Sequence, residues 1–116
     1  MSNNMPLRGA KFSVFEGGVR VPAFIHSPLL PEHVVGTKSN KLFYIADWYV
    51  TLSSLAKANQ SRIQAESGPV PPDGMNIWEA LIGKKSVPSP RRMIVHEYDT
   101  VQNIYAIRHD NWKLVS

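Results

Sequence analysis

Residues 6–22 read PLRGAKFSVFEGGVRVP, and the interpretation of the whole chain turns on them. Lys11 stands between small and basic residues on one side and the apolar Phe12, Val14 and Phe15 on the other. Gly17 and Gly18 follow Glu16. Adjacent glycines reach backbone angles that other residues resist, so the chain is expected to break there, turning sharply or approaching another group closely. Taken alone, the stretch describes a loop entering a strand, with Glu16 and Arg20 as a surface ion pair of small energetic weight.

Outward from that stretch, Val19–Ser27 is rich in branched and aromatic residues and reads as a strand. Pro22 cannot donate to a ladder, which favours its edge or its beginning. His26 ends the run as a structural or surface histidine, with no second ligand or acid near it in sequence. Ser27-Pro28 and Leu30-Pro31 form a stiff link, and residues 32–40 form a polar loop. Asp47 is placed to cap a helix, its carboxylate accepting from free N–H groups and complementing the helix dipole. Trp48, Leu52, Leu55 and Ala56 then recur at helical spacing and predict one apolar, core-facing stripe.

Asn59-Gln60-Ser61 fits the acceptor pattern for N-glycosylation, relevant if the chain enters the secretory route. Ser67–Pro72 is the most loop-like segment. Asp73 takes a turn or capping role in preference to that of a metal ligand. Ile77 or Trp78 with Leu81 and Ile82 predicts a short helix closed by Gly83, and Lys84–Pro90 a turn-rich link. Three strands follow, over Arg92–Tyr98, Ile104–Arg108 and Trp112–Val115. His96 and Glu97 are adjacent and would point to opposite faces, so they form no acid–base couple. His109, Asp110 and Asn111 suit a tight hairpin turn better than a catalytic cluster.

At 116 residues, 43% hydrophobic and 19% charged, the chain is a globular sequence of one domain at most. The absence of cysteine excludes internal disulfides, thiolate zinc sites and a cysteine nucleophile. A net charge of +4 is scattered along the chain, which describes a basic surface and not a nucleic-acid site. No run is long enough to span a membrane, and MSNNMPLRG at the start lacks the apolar core of a secretory signal.

The opening stretch closely resembles the segment that carries the C-terminal active-site lysine in sulfatases of the arylsulfatase B group. SPLLP, ADWYVTLSSLA, DGMNIWEAL, PSPRRMIVHEYD and AIRHDNWKLV match in the same order and extend the resemblance over nearly the whole chain. Where the family usually has proline, this chain has Val50, a tolerable change in a first helical turn. The resemblance implies an α/β (α+β) fragment: the C-terminal part of the alkaline-phosphatase-like sulfatase fold, with a small antiparallel sheet packed by a helix. Val19–Ser27 would join the large sheet. Residues 1–60 would end the large catalytic subdomain, and residues 61–116 would form the small-sheet subdomain.

By the same resemblance, Lys11 contacts the substrate sulfate and supports the leaving oxygen, whereas Glu16, Gly17, Gly18 and Arg20 shape the loop. The family's formylglycine arises from a C/S-x-P-x-R motif, and its calcium is held by paired aspartates and an Asp-Asn segment. Neither occurs here, since Ser89-Pro90-Arg91 has the wrong spacing. The expectation is therefore a lysine-bearing C-terminal portion whose N-terminal partner region is missing. It would be inactive alone, with its exposed strand edges prone to aggregation. The implied substrates are aryl or glycan sulfates, and the implied location is lysosomal or secreted. The competing expectation is a non-catalytic, sulfatase-derived protein that binds sulfated glycans. A phosphoester or phosphonate hydrolase of the same superfamily fits the motifs less well.

Overall fold

A computed structural model describes residues 3–59, 61–62, 68–83 and 86–116. The chain forms two compact units, one from Met1–His26 with Arg92–Ser116 and the other from Ser27–Arg91.

The first unit contains an antiparallel sheet of β1 (Met93–Asp99), β2 (Ile104–His109) and β3 (Trp112–Val115), in the order β1-β2-β3. All three strands lie where branched and aromatic residues predict them, β1 displaced by a residue. Two turns set their register. Asp99 Oδ1 accepts from the N–H groups of Val101 and Gln102 at 2.8 and 2.9 Å, an aspartate turn that ends β1. Asp110 takes φ 49° between β2 and β3, a conformation that aspartate tolerates. The Arg92 side chain binds the Asp110 carboxylate, so the HDN segment is a braced hairpin tip.

Alternation along the strands turns Ile94 and Ala106 inward, at 6% and 2% exposure. It leaves Met93, Val95, Trp112 and Leu114 on the opposite, exposed face. The pairing of β1 with β2 shifts between Val95 and Glu97, so His96 is the extra residue of a bulge. His96 is half-buried and its Nε2 is enclosed without a hydrogen-bond partner, whereas Glu97 is exposed.

A short helix, α1 (Glu16–Val19), belongs to the same unit. Gly17 and Gly18 thus form a helical turn where a chain break is expected. Of Val19–Ser27, expected as a strand, Val19 ends α1 and residues 20–27 form no ladder, and Val21 and Phe24 are 76% and 93% exposed. Branched residues favour extension, but a strand exists only when a neighbour completes its hydrogen bonds, and none among the described residues does so.

The second unit holds α2 (Ile45–Leu55) and α3 (Trp78–Ile82), with a 3-10 turn at Glu32–Val34. The short helix α3 and its closing Gly83 match the sequence expectation. The start of α2 does not. Tyr44 occupies the cap position, and Asp47 lies inside the first turn, its Oδ2 accepting from the Tyr44 N–H at 2.8 Å. The expected apolar stripe is also displaced: Leu52 is 58% exposed, and Trp48 and Leu55 are half-buried. The buried positions of α2 are Asp47 and Thr51, one turn apart. Thr51 Oγ1 donates to the Asp47 carbonyl at 2.7 Å and accepts from the Ile77 N–H at 3.0 Å. Arg91 completes this polar centre, and Ile77 and Ala80 pack with it as buried residues. Asp73 contributes its backbone carbonyl, which accepts from Arg91 Nη2 at 2.6 Å.

Candidate functional site

Lys11 lies at the tip of a tight turn. The Ser13 N–H donates to the Ala10 carbonyl at 3.0 Å, placing Lys11 and Phe12 at the two central positions. Phe12 has φ 68°, in the left-handed region that a second central position of this kind normally gives to glycine. The Lys11 ammonium is 5.0 Å from the Phe12 ring centroid, and no carboxylate pairs with it among the described residues. Both side chains are exposed.

The turn stands on a closely packed base. The Gly17 N–H donates to the Arg8 carbonyl at 2.7 Å, and Asn4 Nδ2 donates to the Gly17 carbonyl at 2.8 Å. A Cβ on Gly17 would meet the Gly9 carbonyl oxygen at 2.1 Å, and one on Gly18 the Ser13 carbonyl oxygen at 1.9 Å. Only residues without a side chain allow this approach, which accounts for the adjacent pair. Phe15 is half-buried, with the Arg8 guanidinium 4.1 Å from its ring centroid. A shallow hollow of about 310 Å³ beside the base is lined by residues 3–7, Gly17, Arg20 and Pro22, and it does not include Lys11.

Glu16 fastens this base to the sheet. Its Oε1 accepts from Lys113 Nζ at 3.0 Å and its Oε2 faces Arg108 Nη1 at 3.4 Å. These replace the expected pair with Arg20. Burial alone would raise the Glu16 pKa, but the Lys113 hydrogen bond and charge, with Arg108, bring it below the ordinary value of 4.5. His96 belongs to the same cluster. Burial, aided by the charges of Lys113 and Arg108 against that of Glu16, holds its pKa below the ordinary 6.5.

His26 is exposed, His33 Nε2 is 2.9 Å from the Ile82 carbonyl oxygen, and His109 faces Asp110 at 3.6 Å in the hairpin tip. Asn59 is exposed, and its Oδ1 accepts from the Arg62 N–H at 3.1 Å. Gln60 of its triplet, Ser67 of the expected loop, and Lys84 and Lys85 of the expected link lie outside the described residues. Among the described residues, no three His, Cys, Asp or Glu side chains are grouped to hold a metal ion. The calcium implied by the family resemblance therefore finds no donor set among them.

Three features were not evident in the sequence: the Glu16 clamp, the Asp47–Arg91 pair and the strained Phe12. The first two join residues 92 or more and 44 positions apart, and no local pattern marks them. The third leaves one faint sign, a bulky residue where the turn calls for glycine.

No profile of a known protein family matches the chain, and no solved structure matches it. Arylsulfatase J of Mus musculus is 41% identical to it over 100 residues, which is 85% of this chain and 15% of that protein. Over most of its length the chain is thus similar to a small part of an arylsulfatase.

Proposed function

We propose that this chain is a C-terminal portion of a sulfatase of the arylsulfatase B group, and that Lys11 is its sulfate-contacting residue. The observation that carries the reading is the placement of Lys11: an ammonium with no carboxylate partner among the described residues, open to solvent, on a turn whose base is held by glycine contacts and by Glu16. The similarity to part of an arylsulfatase supports the sulfatase origin of the segment.

The chemistry follows from the side chain. Cleavage of a sulfate ester leaves negative charge on the oxygen that departs from sulfur. A compact cation with three N–H donors neutralises sulfate in the ground state and the departing oxygen in the transition state. A fixed base keeps the cation from reorganising as that charge develops. In this reading the formylglycine nucleophile and calcium come from the sulfatase region preceding this segment, and this chain alone has no turnover. Residues 1–60 close the large catalytic subdomain, and residues 61–116 form the small-sheet subdomain. The substrate is an aryl or glycan sulfate, the setting is lysosomal or secretory, and Asn59 is a glycan acceptor.

The test is hydrolysis of a chromogenic aryl sulfate, with calcium, by this chain and by the longer protein that contains it. Activity confined to the longer protein, and crippled by Lys11→Ala, is the expected result. An inert longer protein, with the short chain retained on a sulfated-glycan column, would replace the reading with a non-catalytic glycan binder.

A further inference from the structure

Phe12 is the least economical residue of the lysine turn. Its φ of 68° is a rare and strained choice for a bulky side chain, and its ring is 95% exposed. Glycine or asparagine would make the same turn without strain. Nor does the ring pack, whereas Phe15, three residues on, is half-buried with the Arg8 guanidinium 4.1 Å from its ring centroid. The Lys11 ammonium lies beside the Phe12 ring, 5.0 Å from its centroid. A cation and an open aromatic face therefore project together from a rigid base into solvent.

We propose that Phe12 is a substrate-contacting residue, a stacking surface for the ring of a sulfated substrate whose sulfate is held by Lys11. This rests on the reading of Lys11 given above and adds to it a preference for substrate class. A sulfate ester of a phenol or a pyranose joins an anion to a flat body with an apolar face. The anion answers the ammonium, and the apolar face answers the aromatic ring. Free sulfate has only the first of these features, so the two contacts can be separated by ligand choice. Aromatic contacts of this kind strengthen binding by roughly three- to tenfold.

The experiment compares benzenesulfonate, which is not hydrolysed, with inorganic sulfate, measuring both dissociation constants on the full-length protein. Phe12→Asn keeps a residue that tolerates the turn but removes the ring, and Phe12→Trp restores an aromatic face. Phe12→Asn is expected to weaken benzenesulfonate about three- to tenfold, leave sulfate unchanged, and be reversed by tryptophan. Equal weakening of both ligands would mean that Phe12 only shapes the turn, and no change in either would leave the ring without a role. Both results overturn the proposal. Hydrolysis of aryl sulfates is measured alongside. Turnover without ring-dependent binding rejects Phe12 and keeps the sulfatase reading. Ring-dependent binding without turnover keeps Phe12 and rejects that reading. Binding of neither anion overturns both.

Discussion

Arg91 holds the fully buried Asp47 carboxylate through two of its nitrogens, with Nε 2.8 Å from Oδ2 and Nη2 2.6 Å from Oδ1. The N–H groups of Tyr44 and Met75 donate to the same carboxylate at 2.8 Å each. Every lone pair direction of a buried anion is thereby occupied. The pair joins the first turn of α2 to the segments around residues 73–75 and 91, where an apolar core would otherwise be needed. Asp47→Ala strips the buried guanidinium of its carboxylate and leaves the Tyr44 and Met75 N–H groups without this acceptor. It is expected to lower unfolding stability by about 3–5 kcal/mol, as for other buried ion pairs that lose one member. Urea denaturation measures this, and a loss below about 1 kcal/mol would contradict the central role given to the pair.

Glycine to alanine within a helix ordinarily stabilises it by about 0.5–1 kcal/mol. At Gly17 the sign should reverse, because the added Cβ would lie 2.1 Å from a carbonyl oxygen of the backbone. Gly17→Ala is expected to cost about 1–3 kcal/mol, the range for overpacking. A stabilised variant in thermal denaturation would show that the close approach to Gly9 does not exist in solution.

Lys11 should matter to chemistry and not to folding. Its side chain is exposed and has no ion-pair partner among the described residues, so Lys11→Ala is expected to leave stability within about 0.5 kcal/mol. On the proposed reading, the same change in the longer protein is expected to reduce sulfate-ester turnover by about 100- to 1,000-fold, the usual effect of removing a preorganised donor. A variant that unfolds would place Lys11 among the structural residues instead.

His96 gives the chain a distinct response to mild acid. Burial keeps the folded imidazole neutral below the ordinary 6.5, with Lys113 and Arg108 opposing its charge and Glu16 favouring it. In the unfolded chain the same imidazole takes its proton near 6.5, so falling pH favours the unfolded state from that point until the folded pKa is reached. Glu16 behaves differently: its folded pKa is lowered, so its stabilisation is lost only under more acid conditions, below 4.5. Urea midpoints at about pH 7.5 and about pH 5.5 should therefore fall for the native chain and fall less for His96→Phe. Equal slopes for both would remove His96 as the cause.

The sheet was legible in the sequence because its signals are local. Branched and aromatic runs mark all three strands, and the Asp110-Asn111 step accepts the backbone angle that the second hairpin needs. Gly83 likewise announced the end of α3. Residues 19–27 carry the same strand signals, but a ladder is a property of two segments, and the sequence names only one of them. Asp47 was recognised as a helix-start residue and misplaced by three positions, since an aspartate serves either as a cap or within the first turn. What decided the matter was Arg91, far along the chain. The same distance hid the partners of Glu16. Lys11 itself was found by its resemblance to a sulfatase segment, whereas the turn that presents it depends on a Phe12 angle that no sequence pattern records.

Glu16 and Lys113 are 97 residues apart, and this separation imposes an order on biosynthesis. The segment bearing Lys11 leaves the ribosome well before Lys113, so its anchor does not yet exist when the turn is made. Closure of so long a loop is slow compared with local turns. A product stopped before Lys113 would carry the lysine and its glycine base but lose the clamp that ties them to the sheet.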